Sequence, residues 1–412
     1  MLKLLKIALR NLLRYKRRSL LTTSLITLGV MFVLIFVSIS GSFKEMMIAQ
    51  NTDSMLGHLQ VHRRGYVASI DNLPLNLNLD EESMAHLEQI LRQMPEVEAY
   101  APRIKFGAMF STFVETSNIR LNGIYPEQEF ATTPLLNSRL LAGDNTLSRD
   151  EIWIPELLAK GMKVSVGDSI VIVATNQDGS VNGRQFNVSG ILESVTGPGG
   201  RDGYIHIEDA AEVLRLEDME ISEIAIRLQD FTRLAEVEQH LDSLLAQERT
   251  PQGKALFEIH TWEKLSPFFN VARMIDVMTL FMQLMLIAIV LVSVMNVMIM
   301  AVFERIREIG TMAAIGTQPR RILALFLLEG LGLGVIGAIL GNMLGSFVIF
   351  ILNHAHITYD FGRQKDLLLQ ARVAPLDLLL LSGIVIAISV LASLHPAYKA
   401  SKMEPITALR HL

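Results

Sequence analysis

Residues 304–341 read ERIREIGTMAAIGTQPRRILALFLLEGLGLGVIGAILG, and three kinds of sequence follow one another within them. Glu304, Arg305, Arg307 and Glu308 open a short charged helix; Gly310 and Gly316 lead it into a small-residue turn; Pro319, Arg320 and Arg321 then stand at the start of a long apolar run. Within that run glycine recurs at Gly330, Gly334, Gly337, Gly341 and Gly345, so all five fall on one face of a helix. A small-residue face of this kind lets helix backbones approach closely in lipid, which predicts tight packing against another span of the same chain or of a second copy. Glu329 lies about two turns inside the run. An acidic group at mid-membrane costs about 2.5–3.5 kcal/mol on insertion scales, so a partner is expected, with Arg305 and Arg321 the candidates. The charged element is too short to fold by itself, and its place between two apolar stretches suits docking to a soluble partner.

The apolar run is one of four, each long enough for the ~20 residues that a membrane crossing takes. They cover residues 19–41, 275–303, 322–352 and 376–395. Ahead of the first stand Lys3, Lys6, Arg10, Arg14, Lys16, Arg17 and Arg18 without an acidic residue, and basic residues also mark 304–321 and the tail 396–412. The positive-inside rule places these three segments in the cytoplasm and puts residues 42–274 and the shorter connection 353–375 outside. The first apolar core is longer than that of a cleaved signal peptide, which predicts a retained anchor. Residues 1–18 read as an amphipathic helix on the cytoplasmic face, its cations at lipid phosphates and Leu2, Leu5, Leu9 and Leu12 opposite. The same cations would serve equally as a plain topology signal.

Residues 42–274 have soluble character and predict a mixed α/β domain. SFKEMMIAQNT continues the first span without a breaker, and TWEKLSPFFNVARMID leads into the second with only Pro267 interrupting, so both ends read as helical stalks. GHLQVH reads as a strand, residues 80–94 as a helix capped by Asp80, and residues 155–161 and 234–246 as further helices. SIVIVA at 169–174, a turn through Asp178-Gly179 and residues 185–192 predict an antiparallel pair.

Catalytic chemistry finds no foothold. Half of the 412 residues are hydrophobic and there is no cysteine, which removes disulfides, thiolate metal sites and a cysteine nucleophile. The glycine-rich stretch VTGPGGRDG at 195–203 lacks the Lys-Ser/Thr pair of a phosphate cradle, and no Walker motif occurs elsewhere. His58 and His62 sit in the predicted strand, and His354 and His356 in a solvated loop, so no metal site is expected. The chain itself is predicted to hold no cofactor and to bind no nucleic acid.

The coupling stretch ERIREIGTMAAIGTQPRRIL, the tail LHPAYKASKMEPITALR and EIWIPELLAKGMKVSVGDSIVIV with the later FNVSGIL together resemble the FtsX/MacB-like permeases of ABC transporters. The resemblance implies four transmembrane helices and a MacB-like periplasmic domain between spans one and two of an inner-membrane protein. It also implies a second permease copy or homologous permease, and a cytoplasmic ABC ATPase dimer carrying ATP and Mg. Glu304, Arg305, Arg307, Glu308, Gly310, Gly316 and Pro319 would then transmit motion from that ATPase. The four-span, ATPase-free build is most similar to the lipoprotein-releasing branch, which implies extraction of an acylated substrate from the outer leaflet for a periplasmic carrier. An efflux permease working with a membrane-fusion protein, and an FtsX-like activator of a cell-wall hydrolase, are the alternatives. For the first reading, Phe36, Phe43, Met46, Met278, Phe281 and Met285 are expected to line an outward-opening apolar cleft between spans one and two, methionine adapting to variable acyl chains.

Overall fold

The structure is a computed structural model and describes residues 2–194, 201–249, 253–361, 364–368 and 370–404. Most of the glycine-rich loop at 195–203 and the end of the C-terminal motif lie outside these residues. In chain order, α1 (Leu2–Arg14) and α2 (Lys16–Asn51) are followed by β1 (Leu59–Arg63), α3 (Glu81–Gln93), β2 (Val97–Ser111), β3 (Thr116–Ile124) and α4 (Pro126–Thr132). Next come β4 (Leu140–Gly143), β5 (Glu151–Pro155), α5 (Glu156–Met162), β6 (Ser169–Thr175), β7 (Val181–Leu192), β8 (Asp202–His206) and α6 (Ile207–Leu214). β9 (Glu223–Leu228), α7 (Leu234–Leu245), β10 (Phe257–Thr261) and α8 (Trp262–Leu265) complete this stretch. The chain ends with α9 (Phe268–Glu304), α10 (Ile306–Ala314), α11 (Pro319–His354), β11 (Thr358–Phe361), β12 (Gln364–Leu368) and α12 (Pro375–Ser401). Two compact units result: Met1–Lys44 with Arg273–Tyr359 and Leu368–Leu412, and Glu45–Ala272 with Asp360–Leu367.

In the helical unit, α2, α9, α11 and α12 are each long and apolar enough to cross a membrane. Proline opens α11 and α12 at a position whose N–H has no helical partner to lose. α12 runs on through Pro396 to Ser401, so the start of the C-terminal motif is the end of a helix rather than a tail. The connection read as a loop at 353–375 contains the two-stranded β11–β12 hairpin. The glycine face of α11 is divided between two neighbours. A Cβ on Gly330 or Gly334 would stand 2.4 and 2.7 Å from the hydroxyls of Ser393 and Ser389 on α12. One on Gly337, Gly341 or Gly345 would stand 2.5–2.8 Å from Ile26, Val30 and Leu34 on α2. The close packing expected of these glycines is therefore made inside one chain.

In the sheet unit, β2 is long enough to pair with different neighbours along its length within one ten-stranded sheet. Its first half pairs with β9, from which β1 and β10 continue; its second half pairs with β3 and with β6. From there the pairings β3–β8, β8–β5, β5–β7, β7–β6 and β6–β2 close a six-stranded circuit. The antiparallel β6–β7 pair turns at Gly179, with the Ser180 amide donating 2.8 Å to Asp178. Asp80 caps α3 by accepting from the Ser83 amide at 2.9 Å. Fully buried Arg103 is held by both carboxylate oxygens of Glu129, at 2.8 and 2.6 Å, and by Glu223 at 2.9 Å. A guanidinium keeps its charge even when buried, and such partners offset the cost of taking it out of water.

The end of the first stalk is stitched into this unit. After α2 the helix loosens to a π turn over Thr52–Leu56 and stops at Gly57, whose φ of 74° is left-handed. Its carbonyls are then taken up one by one: the Leu135 amide donates to Asp53 O at 2.8 Å, Arg139 to Ser54 O at 3.3 Å, and Gln60 to Leu56 O at 2.8 Å. The Asp53 carboxylate accepts from Arg227 at 2.8 Å. Burial alone would raise the pKa of Asp53, but His58 and Arg227 outweigh it and hold the group below its ordinary value.

Gly341→Leu should force α11 away from Val30 of α2 and destabilise the protein by about 1–3 kcal/mol. Gly383→Leu on α12, where a Cβ meets nothing within 4 Å, should be neutral. Thermal unfolding of the two variants in detergent micelles measures the difference.

Candidate coupling site

The site is built where α9 gives way to α10. Glu304 is the last residue of α9, and Arg305 leaves helical geometry at φ −109°, ψ 19°, so the short helix that follows can turn away. That break places the Arg305 side chain inside the helical unit. Its Nη1 donates to Glu329 Oε1 at 2.8 Å and its Nε to Glu308 Oε2 at 3.0 Å, and its guanidinium carbon lies 5.7 Å from the centre of the Phe326 ring. Only 6 % of the Arg305 side chain and 2 % of the Glu329 side chain are exposed. Burial works against the Arg305 charge, yet the two carboxylates more than compensate and its pKa is raised.

α1 completes the cluster. The Asn11 side-chain amide donates to the same Glu329 oxygen at 2.7 Å, Arg14 reaches Glu308 at 3.3 Å, and Arg18, at the start of α2, reaches Glu304 at 2.8 Å. Ala8 and Leu12 of α1 are buried, and a Cβ on Gly332 would touch Leu12 at 2.9 Å, so α1 packs on α11. The cations of residues 1–18 are thus not all directed at lipid. Two of them hold the coupling segment.

The other side of the segment is open. Ile309 and Gly310 are buried, whereas Arg307, Thr311, Ala314, Gln318, Pro319 and Arg320 are exposed. Ile315 is 80 % exposed beside Gly316, whose φ of 90° makes the turn. Of the charged residues expected to face a soluble partner, Arg305 instead faces the interior and Glu304 and Glu308 are bound to α1 and α2. Arg307, Ile315, Pro319 and Arg320 are among the exposed residues of the segment.

Comparison with known families decides what kind of protein carries this arrangement. The family described as a MacB-like periplasmic core domain matches residues 19–244, more than half of the chain, and the FtsX-like permease C-terminal family matches residues 280–405. The chain belongs to the FtsX-like permeases that carry a MacB-like periplasmic core domain.

Among relatives of this permease, the lipoprotein-releasing system transmembrane protein LolC of Haemophilus influenzae is 26% identical over 347 residues, 81% of this chain and 83% of that protein. The macrolide export ATP-binding/permease protein MacB of Bdellovibrio bacteriovorus is 26% identical over 85% of this chain, which spans 52% of that protein. Among solved structures, the periplasmic region of MacB from Actinobacillus actinomycetemcomitans aligns with 54% of this chain and 94% of its own at 14% identity and a TM-score of 0.37. The permease is a membrane protein whose sheet domain is inserted between the first and second of its apolar helices.

The structure places the six cleft candidates on two helices, α2 and α9. Met278, Phe281 and Met285 share an exposed face of α9, while the ridge of α9 that is buried is Leu286, Val290, Val294 and Met298, with Leu286 against Gly29 of α2. Phe36 and Phe43 are half-buried on α2, the Phe43 ring 6.2 Å from that of Tyr359, and Met46 falls in the sheet unit. His58 is fixed by accepting from the Leu228 amide at 3.0 Å and His62 lies 3.4 Å from Glu223, both in structural roles. Asn11, Arg14 and Arg18 are the site residues that reading the sequence missed. Their spacing marks one face of a helix, but nothing local names carboxylates about 300 residues away as their partners.

Glu329→Leu should leave Arg305 buried without its main counter-charge and cost about 3–5 kcal/mol. The double variant Glu329→Leu/Arg305→Leu should recover most of that loss. A double-mutant cycle on thermal unfolding in micelles checks both, and equal effects of the single and double variants would remove the pair from the account.

Proposed function

We propose that this permease is the membrane subunit of an ABC transporter working by mechanotransmission, its ATPase carried on a separate chain. ATP and Mg are held by that partner. Docking at Arg307, Ile315 and Pro319 displaces α10, the Arg305–Glu329 pair passes the displacement to α11 and α1, and the stalk continuous with α2 carries it outward. The arrangement in which the start of α10 is keyed to α11 by a buried ion pair, and through Glu329 to α1 by the Asn11 hydrogen bond, carries this reading, because a docking element without such a key would move alone. Length agrees: α2 has 36 residues, about 54 Å of helix against a hydrocarbon layer of ~30 Å.

The substrate we propose is a lipoprotein or other amphiphile, drawn from the outer leaflet of the inner membrane and passed to a periplasmic carrier, with a second permease copy or homologue completing the assembly. The match to LolC over most of both chains supports it. Export with a membrane-fusion protein is the second reading, favoured by the match of the MacB relative across 85% of this chain.

The double variant Arg307→Glu/Ile315→Asp should weaken copurification with the ATPase at least tenfold, an expected loss of about 1.4 kcal/mol or more, while unfolding at the wild-type temperature. Undiminished copurification would falsify the docking surface. Photocrosslinkers at Phe43 and Met278 should capture acylated protein during ATP turnover. A fusion protein in the copurified complex, with nothing acylated captured, would transfer the assignment to export.

A further inference from the structure

The sheet domain contains a cavity of about 210 Å³ with two unlike walls. One wall is apolar: Met55 and Leu56 from the π turn after α2 and Leu265 from the end of α8 form a small cluster of their own. Both segments that lead to the stalks thus contribute to a single wall. The facing wall comes from the strand circuit and includes Arg103, Lys105 and Tyr204.

What the second wall offers is mostly donors. Arg103 already donates to Glu129 and Glu223. The Lys105 ammonium has three N–H groups and one bonding partner among the described residues, Glu223 at 2.8 Å. Tyr204 is 4 % exposed, yet its hydroxyl has no hydrogen-bond partner among the described residues. Burial pushes the Tyr204 phenol up to about 12, so it keeps its proton and remains a donor. Two carboxylates also line the cavity: Asp202 is already taken by Arg120 at 2.9 Å and by Asn122 at 3.3 Å, and Asp71 is an exposed residue. Tyr204 lines the cavity with a hydroxyl donor, which suits a ligand that supplies an acceptor. Donors on one side and methionine and leucine on the other select an acceptor oxygen on an apolar stem.

We propose that this cavity binds the carbonyl end of an acyl group, with the oxygen at Tyr204 and Lys105 and the first carbons of the chain against Met55, Leu56 and Leu265. The volume equals that of roughly seven liquid waters, enough for the head of one chain and not for a whole lipid. The proposal rests on the transport reading above and deepens it by naming the part of the amphiphile that the domain holds. Because Met55 and Leu56 follow α2 directly, movement of that stalk would reshape the apolar wall and release the chain.

The test uses the full-length permease in micelles and a short photoactivatable acyl glycerol ester, compared with the ether analogue that has no carbonyl. The ester should label peptides containing Met55–Leu56 or Leu265, and the ether should label them roughly three- to tenfold less. Tyr204→Phe should reduce ester labelling to the ether level without lowering the unfolding temperature, and Leu265→Trp, which fills the cavity, should abolish it. Equal labelling by ester and ether, or undiminished labelling of Tyr204→Phe, would overturn the proposal. Labelling by the free acid as strong as by the ester identifies the carbonyl alone as the feature read; better competition by an acylated peptide identifies lipoprotein as its source. Substrate release in a reconstituted system that is unchanged in Leu265→Trp would sink the cavity and leave the transport reading standing. Specific labelling without any amphiphile released on ATP turnover would do the reverse.

Discussion

One guanidinium and one carboxylate, shielded from water among apolar helices, set the geometry on which the rest of the helical unit depends. In a low-dielectric interior neither Arg305 nor Glu329 is tolerable alone, and their 2.8 Å contact is what allows both to remain. The pair fixes where α9 must end, because Arg305 reaches inward only if the helix breaks after Glu304. It also fixes where α1 must lie, because the second donor to the Glu329 oxygen is Asn11. Burying charge is a poor way to gain stability, and a hydrophobic pair of similar volume would serve at least as well. What the pair does in this structure, with the Asn11 bond, is join the start of α10, α11 and α1 at one carboxylate.

The glycine face of α11 does the complementary work. Without side chains at Gly330, Gly334, Gly337, Gly341 and Gly345, the helix lies against α12 at one end and α2 at the other, with contacts too close for any Cβ. Dispersion forces grow with such proximity, and in lipid they replace the hydrophobic effect as the source of helix association. α11 therefore meets its neighbours through close backbone contact rather than through yielding side chains. The sheet domain answers with a similar economy of slack: the carbonyls freed at the end of the first stalk are taken by Leu135, Arg139 and Gln60, so the stalk has no loose end.

Some of this architecture is local and some is not. The β6–β7 hairpin was legible because its turn chemistry, Asp178-Gly179, lies between two alternating strands, and α3 because Asp80 stands where a cap must. β5 and β8 were not legible: each is five residues long and continuously apolar or mixed, and each finds a parallel partner far away in sequence. The sequence reading turns the charges of segment 304–321 outward, whereas the structure buries Arg305. Arg305 and Arg307 are two residues apart on a polar stretch and look alike in sequence; a break in the helix sends one inward and leaves the other on the surface.

By itself the sequence determined the four apolar helices and the insertion of an α/β domain between the first two. These follow from composition and period, since about 20 apolar residues span a bilayer whatever they touch. Only the tertiary structure decided which charges pair, which neighbours share the glycine face, and that the stalk ends and the strand circuit enclose a cavity with donors on one wall. Those outcomes depend on distances between residues remote in the chain, and a one-dimensional pattern holds no record of such distances.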